Sequence, residues 1–272
     1  EPYWISLSMS IETYFEKLRD GSEELRDNKD FVMLAVADEG MNLQFASSRL
    51  VADKEVVTAA VHDDASALQF ASEALRSDPE VVLLAVSKLG KALELADAIV
   101  CADKAVVLAA VEKDGMMLQH ASPDLQADKD VVLAAVMQDG ESFAFAAEPF
   151  RSDVAVVTAA VANCGMMLEH ADAELRASES VVRAAIANDG LALQFASEEL
   201  REAKEILLEA CRQHGCALEF TSEEFRADRD IVMHAVDRTP KALIYASKEL
   251  QDDDDMQAFV RDVRVRIQNS GR

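Results

Sequence analysis

The sequence predicts an all-α fold: an α-solenoid, a superhelical array of tandem repeats. Three observations predict it. A large apolar residue recurs every 25 positions, at Leu25, Leu50, Leu75, Val100, Leu125, Phe150, Leu175, Leu200, Phe225 and Leu250. Ten residues after each of the first nine, Ala35, Ala60, Ala85, Ala110, Ala135, Ala160, Ala185, Ala210 and Ala235 form an unbroken column. Between an acidic residue such as Asp128 and a glycine such as Gly140 lie about three helical turns, with Val131, Val132, Ala135 and Val136 on one face. A fixed period of this length marks a repeat architecture, in which no unit buries enough alone and each must stack on its neighbours.

Nine units of two short helices fill 25–249, between an N-terminal arm and capping helix at 1–24 and a C-terminal capping helix with a basic tail at 250–272. In the arm, Ser10 is placed to cap a helix with Ile11, Tyr14, Phe15 and Leu18 on one stripe. Within the units, Asp53, Asp78, Asp103, Asp128, Asp153 and Asp228 can accept the free amides of a first helical turn. Gly40, Gly90, Gly115, Gly140, Gly165, Gly190 and Gly215 are expected to close that helix in a left-handed conformation. A shorter second helix follows, as at 191–196. Ser47, Ser72, Ser122, Ser197, Ser222 and Ser247 then cap a tight turn that leads into the next unit. At the far end, aspartates at 252–255 complement the dipole of a helix carrying Met256, Phe259, Val260, Val263 and Ile267. A leucine-rich horseshoe also repeats at this length, but the paired alanines and the cap-to-glycine spacing favour helix over strand.

The repeating pattern D-K-E-V-V-L-A-A-V-x-x-D-G-x-A-L-x-F-A-S-E-E-L-R-A resembles the helical repeat family named domain of unknown function 4116, in all nine units. It is more distantly similar to leucine-rich variant repeats. Members of the resembled family occur in protists, algae and some intracellular bacteria, effector proteins among them. The resemblance implies an interaction surface and supplies no catalytic residue.

Composition narrows the function. The 272 residues hold 51 acidic and 27 basic side chains, a formal charge of −24, and half of them are apolar, enough for a sizeable core. Gripping nucleic acid or an anionic bilayer needs clustered Lys and Arg, so neither is expected. No apolar run approaches the roughly 18 residues of a membrane span, although peripheral attachment to a membrane complex is compatible with the sequence. Four cysteines are too few and too irregular for a disulfide framework, which favours a reducing compartment and a soluble intracellular protein. The start at Glu1 is consistent with a removed leader and an organellar location, or with a truncated start.

Catalytic signatures are missing: there is no GxSxG, HExxH, CxxC pair or glycine-rich phosphate loop. The expectation is a non-catalytic protein–protein interaction scaffold or peripheral subunit of a larger assembly, without cofactor or metal. Cys211, His214 and Cys216 lack a fourth ligand and a zinc spacing. Candidate partner-binding residues are Tyr3 and Trp4, aromatic anchors outside the array. Met116 and Met117 with His120, and Met166 and Met167 with His170, are candidates for an adaptable apolar patch. Arg264 and Arg266 are candidates because the tail opposes the body in charge. A ligand- or cofactor-binding protein using His120 and His170 is the alternative, and a bacterial effector module another context. Arg26, Arg76, Arg151, Arg176, Arg201 and Arg226 read as a surface ion-pair ladder, and Asp63-Asp64 as a solvated edge. Gln44, Gln69, Glu94, Gln119, Glu169, Gln194 and Glu219 mark an exposed face of the second helix.

Overall fold

Each 25-residue repeat forms one layer, and its long helix is set by the cap the sequence provides. Asp53 turns its carboxylate onto the amides of Glu55 and Val56 at 3.0 and 3.3 Å, and the helix Lys54–Asp63 starts there. In a computed structural model, which describes residues 14–270, the same arrangement recurs at Asp78, Asp103, Asp128, Asp153 and Asp228, with Asn28 in that role for the first layer. Two layers lack it: Ser178 and Ala203 occupy the cap position without a side-chain bond. No strand occurs among the described residues, and the architecture is an all-α solenoid of short helices in tandem.

The chain divides into two compact units, 1–126 and 127–272. The first holds the long helices Lys29–Asp38, Lys54–Asp63, Pro79–Lys88 and Lys104–Val111, here layers 1 to 4. The second holds Lys129–Gln138, Val154–Asn163, Glu179–Asn188, Lys204–Gln213 and Arg229–Arg238, layers 5 to 9. Within each unit successive long helices pack side by side. Their Val-Val-x-x-Ala-Val stripe is the core: Val56, Val57, Ala60 and Val61 are fully buried, as are Val131, Val132, Ala135 and Val136. Each buried valine contributes at the low end of about 1.5–3 kcal/mol against exposure.

The second helix of every layer is a six-residue 3₁₀ helix, from Gly40–Phe45 to Pro240–Tyr245. At about 2.0 Å per residue it covers about 12 Å, close to the 15 Å of ten α-helical residues, which is how 25 residues close a layer. The turn that follows is itself a single helical turn. In the first unit it alternates between α (Glu73–Arg76, Pro123–Gln126) and 3₁₀ (Leu50–Ala52, Val100–Ala102).

The glycines do not take the left-handed conformation: no glycine among the described residues has a positive φ. The long helix ends instead on an extended residue, such as Glu39 at φ −150° and ψ 113°. Glycine is required by close approach. A β-carbon on Gly90 would lie 2.8 Å from the carbonyl oxygen of Ala110 in the next layer. The glycine and alanine columns are thus one device, bringing two backbones together.

Three ladders tie the layers. The amides of Ser47, Ser72, Asp97 and Ser122 donate to the carbonyls of Arg26, Val51, Arg76 and Cys101, each 21 residues back, at 2.8–3.0 Å. Asp172, Ser197 and Ser247 repeat this in the second unit, on Arg151, Arg176 and Arg226. The carboxylate and amide side chains at the end of the long helices form the second. Asp63 Oδ2 accepts the Gly40 amide at 2.7 Å, and Asn163 and Asn188 accept those of Gly140 and Gly165. Asp63 is exposed, as a solvated edge would be, and bonds two layers as well, while Asp64 caps Ser66. Ion pairs form the third, joining Lys29 to Asp53 at 2.8 Å, Lys54 to Asp78 at 2.7 Å and Lys129 to Asp153 at 2.6 Å.

At the amino end Tyr14–Arg19 packs on layer 1, with the Tyr14 and Phe15 rings 5.6 and 5.1 Å from those of Phe31 and Phe45. At the carboxyl end Asp254–Ser270 lies against layer 9 and buries Met256, Val260 and Val263. The stripe expected to continue through Ile267 stops short, since Ile267 is exposed. Ser10 and Ile11 lie outside the described residues.

Candidate interaction surface

Of the residues singled out from sequence, Tyr3 and Trp4 lie outside the described residues. The methionine pairs divide. Met117 is buried at 1% exposure because its 3₁₀ position turns inward beside Leu118, so it drops out as a surface anchor. Met116, Met166 and Met167 are half-buried. His120 belongs to the first unit and His170 to the second. His120 Nε2 lies 3.7 Å from Glu94 Oε1, while the His170 ring meets Phe143 edge-on at 6.5 Å. Both rings thus have partners within the chain. Arg266 is engaged as well, with Asp237 at 3.1 Å, Asp262 at 3.0 Å and the Phe259 ring beneath it. Arg264 lines a cleft of about 320 Å³ between layer 9 and the last helix, with Lys241 and Asp252.

The arginine column is not an ion-pair ladder. No carboxylate pairs with Arg26, Arg76, Arg151, Arg176, Arg201 or Arg226 among the described residues. Arg26 Nε donates instead to the Leu18 carbonyl at 2.9 Å, and Gln126, in the same column, to that of Leu118 at 3.1 Å. Each reaches back eight residues to clamp the end of the preceding helix. The ion pairs run along the lysines that open the long helices. There the Lys54 ammonium holds the Asp78 carboxyl below its ordinary range, and Lys29 does the same to Asp53.

The cysteines are all free, and burial pushes the Cys211 thiol up to about 12. No group of three or more His, Cys, Asp or Glu suited to a metal occurs among the described residues. No helix among them is long and apolar enough to cross a membrane.

What the geometry does expose is the outer face of the long helices. With positions 32, 35 and 36 of layer 1 facing the core, positions 30, 33, 34 and 37 face outward. In the first unit this face carries Leu34 at 58% and Leu83 at 39% exposure, beside half-buried Met33, Leu84 and Leu108. In the second unit Met137 stands 70% exposed, and by layer 7 the column of Met33, Leu83 and Leu108 is charged: Arg183 joins Glu179 at 2.8 Å and also reaches Glu209. Sequence reasoning placed the contact face on the second helix, where Gln44, Gln69, Glu94, Gln119, Glu169 and Glu219 are exposed and Gln194 half-buried. The signal for the long-helix face was present: Leu34, Leu83, Leu84 and Leu108 fall outside the phase of the buried stripe.

Short helices stacked by regular inter-layer bonds, with side chains displayed in columns, define a tandem helical-repeat protein. The model of the family described as domain of unknown function (DUF4116) matches residues 53–99, 103–151, 153–201 and 204–251, and the chain belongs to that family. Each match takes in two layers, in keeping with the alternating turns of the first unit, and layer 1 precedes the matched stretches. No curated protein and no solved structure matches the chain.

Proposed function

We propose that the protein is a non-catalytic protein–protein interaction scaffold, working as a subunit of a larger assembly. One observation carries this reading: the exposed Leu34 and Leu83, on the same outward face as Met33, Leu84 and Leu108, in a unit whose core is otherwise complete. Apolar side chains aligned on one face of a soluble array lower its free energy when a partner covers them. The partner in this reading is protein. The first unit alone carries 23 acidic against 11 basic side chains, a field that repels nucleic acid and anionic lipid. The helices at the two ends act as caps, shielding the terminal layers.

The test is isolation from the native source under mild conditions, followed by mass and composition of what co-purifies. A complex of defined stoichiometry is expected. A bare monomer of 29.7 kDa overturns the reading.

A further inference from the structure

The outer face of the first unit is a trough. Its floor is layer 2, where Thr58 and Ala59 hold the positions that Met33 and Leu34 hold in layer 1 and Leu83 and Leu84 in layer 3. Small side chains therefore lie between two bulky walls. Layers packed at about 8–10 Å place those walls about 16–20 Å apart, room for one helix of 10–12 Å diameter seated over layer 2. Both ends of the trough are acidic. At the amino end Asp30, Asp53, Glu55, Asp78 and Glu80 face only Lys29 and Lys54, each shared between two carboxylates at 2.6–2.8 Å. At the carboxyl end Asp38, Glu39, Asp63 and Asp64 outnumber Lys88, whose ammonium is held by the His62 carbonyl.

We propose that this trough binds an amphipathic helix of a partner protein. Its apolar stripe is about two turns long, and Lys or Arg flank it at both ends. The apolar floor and walls take the stripe, and the excess carboxylates at each end take the flanking cations, the helix-in-groove mode of recognition. Charge complementarity decides the occupant: an acidic helix would set like charges against both ends, and the last helix of a second copy, which opens on Asp254 and Asp255, would set them against one. The proposal rests on the interaction reading above and specifies its partner.

The test uses an 18-residue peptide with Leu at i, i+3, i+4 and i+7 and Lys at both ends, beside a scrambled peptide of identical composition. Binding to the full chain is followed by fluorescence anisotropy at 150 mM salt, which damps non-specific attraction. The amphipathic peptide is expected to bind at least tenfold tighter than the scrambled one. Leu83→Glu and, independently, Thr58→Lys are each expected to abolish that preference, while Met137→Glu in the second unit leaves it intact. Circular dichroism confirms that each variant is folded. Equal binding of the two peptides, a preference that survives both trough variants, or a self-dimer that Leu83→Glu dissociates would each overturn the proposal. If a native complex is isolated while the peptides show no preference, the trough is excluded and the interaction reading stands.

Discussion

A β-carbon on Gly140 would stand 2.7 Å from the carbonyl oxygen of Ala160 and equally near the amide nitrogen of Cys164, both in the following layer. The Gly140 amide meanwhile donates to Asn163 Oδ1 at 3.0 Å, so this backbone is held against its neighbour from two directions. Gly140→Ala must push layers 5 and 6 apart, and overpacking of this kind costs about 1–3 kcal/mol. The expected result is a lower urea midpoint with an unchanged m-value. Ala65, which stands in the same column, sets the comparison: Ala65→Gly is expected to change stability by about 1 kcal/mol or less. An unmoved midpoint for Gly140→Ala would sink the close-approach explanation of the glycine column.

The cap column offers a prediction in both directions. Asp103 accepts the amides of Ala105 and Val106 at 2.9 and 3.2 Å, and Pro79 stands where other layers place a lysine. Asp103→Ala therefore reports the cap alone, at about 1 kcal/mol. Ser178 and Ala203 have the same extended backbone without the bond, so Asp at either position supplies one. Ser178→Asp is expected to raise the midpoint by more than Ala203→Asp. The reason is Glu179, which occupies the place of Lys29 in the Lys29–Asp53 pair and so faces residue 203 with a like charge. Equal gains would show that the ion-pair ladder adds nothing to the cap.

The caps and the buried Val-Val-x-x-Ala-Val stripe were legible in the sequence because both rest on local spacing: an acceptor before a first turn, and a 3.6-residue period. What was not legible depends on atoms 8 to 23 residues away, beyond the residue's own turn. Glycine at position 140 reads as a helix closer by local rules, yet Ala160 dictates it. Asp63 reads as a surface charge, yet it bonds the amide of Gly40 in the layer before. Arginine at 26 reads as half of an ion pair, yet a backbone carbonyl takes its Nε. Which apolar columns stay exposed was hidden for the same reason. Only stacking shows which columns are covered, and Met117 proved covered while Leu34 did not.

Acid should unfold the protein through its cap carboxylates. Asp53, Asp78 and Asp153 are held below the ordinary carboxylate range, first by hydrogen bonds from Lys29, Lys54 and Lys129. A carboxyl depressed in the folded state contributes stability that is complete above its unfolded value, near 3.9, and is lost as pH falls through the folded value. Thermal midpoints are therefore expected to decline below about pH 4. In Lys54→Met, Asp78 loses the largest cause of its depression and keeps the amides of Glu80 and Val81, so part of that decline should disappear. An identical acid slope in wild type and variant would place the acid sensitivity elsewhere.

Thiol reactivity tests the register of the layers. Cys101, Cys164 and Cys216 are half-buried, whereas Cys211 is fully enclosed, its thiol pushed to about 12 first by burial and then by the nearby Cys216. At pH 8 only on the order of 10⁻⁴ of such a thiol is thiolate, the nucleophilic form. A maleimide should thus add to three cysteines of the native chain, with the fourth labelled only on unfolding, as read by intact mass. Cys211 stands in the column of Val136 and Val161, both fully buried. Cys211→Val should therefore cost less than about 1.5 kcal/mol while abolishing the slow fourth addition. Rapid labelling of all four sites would mean that layers 8 and 9 open readily. A large loss of stability in Cys211→Val would instead mean that the column is not equivalent from layer to layer, and that the 25-residue register is broken there.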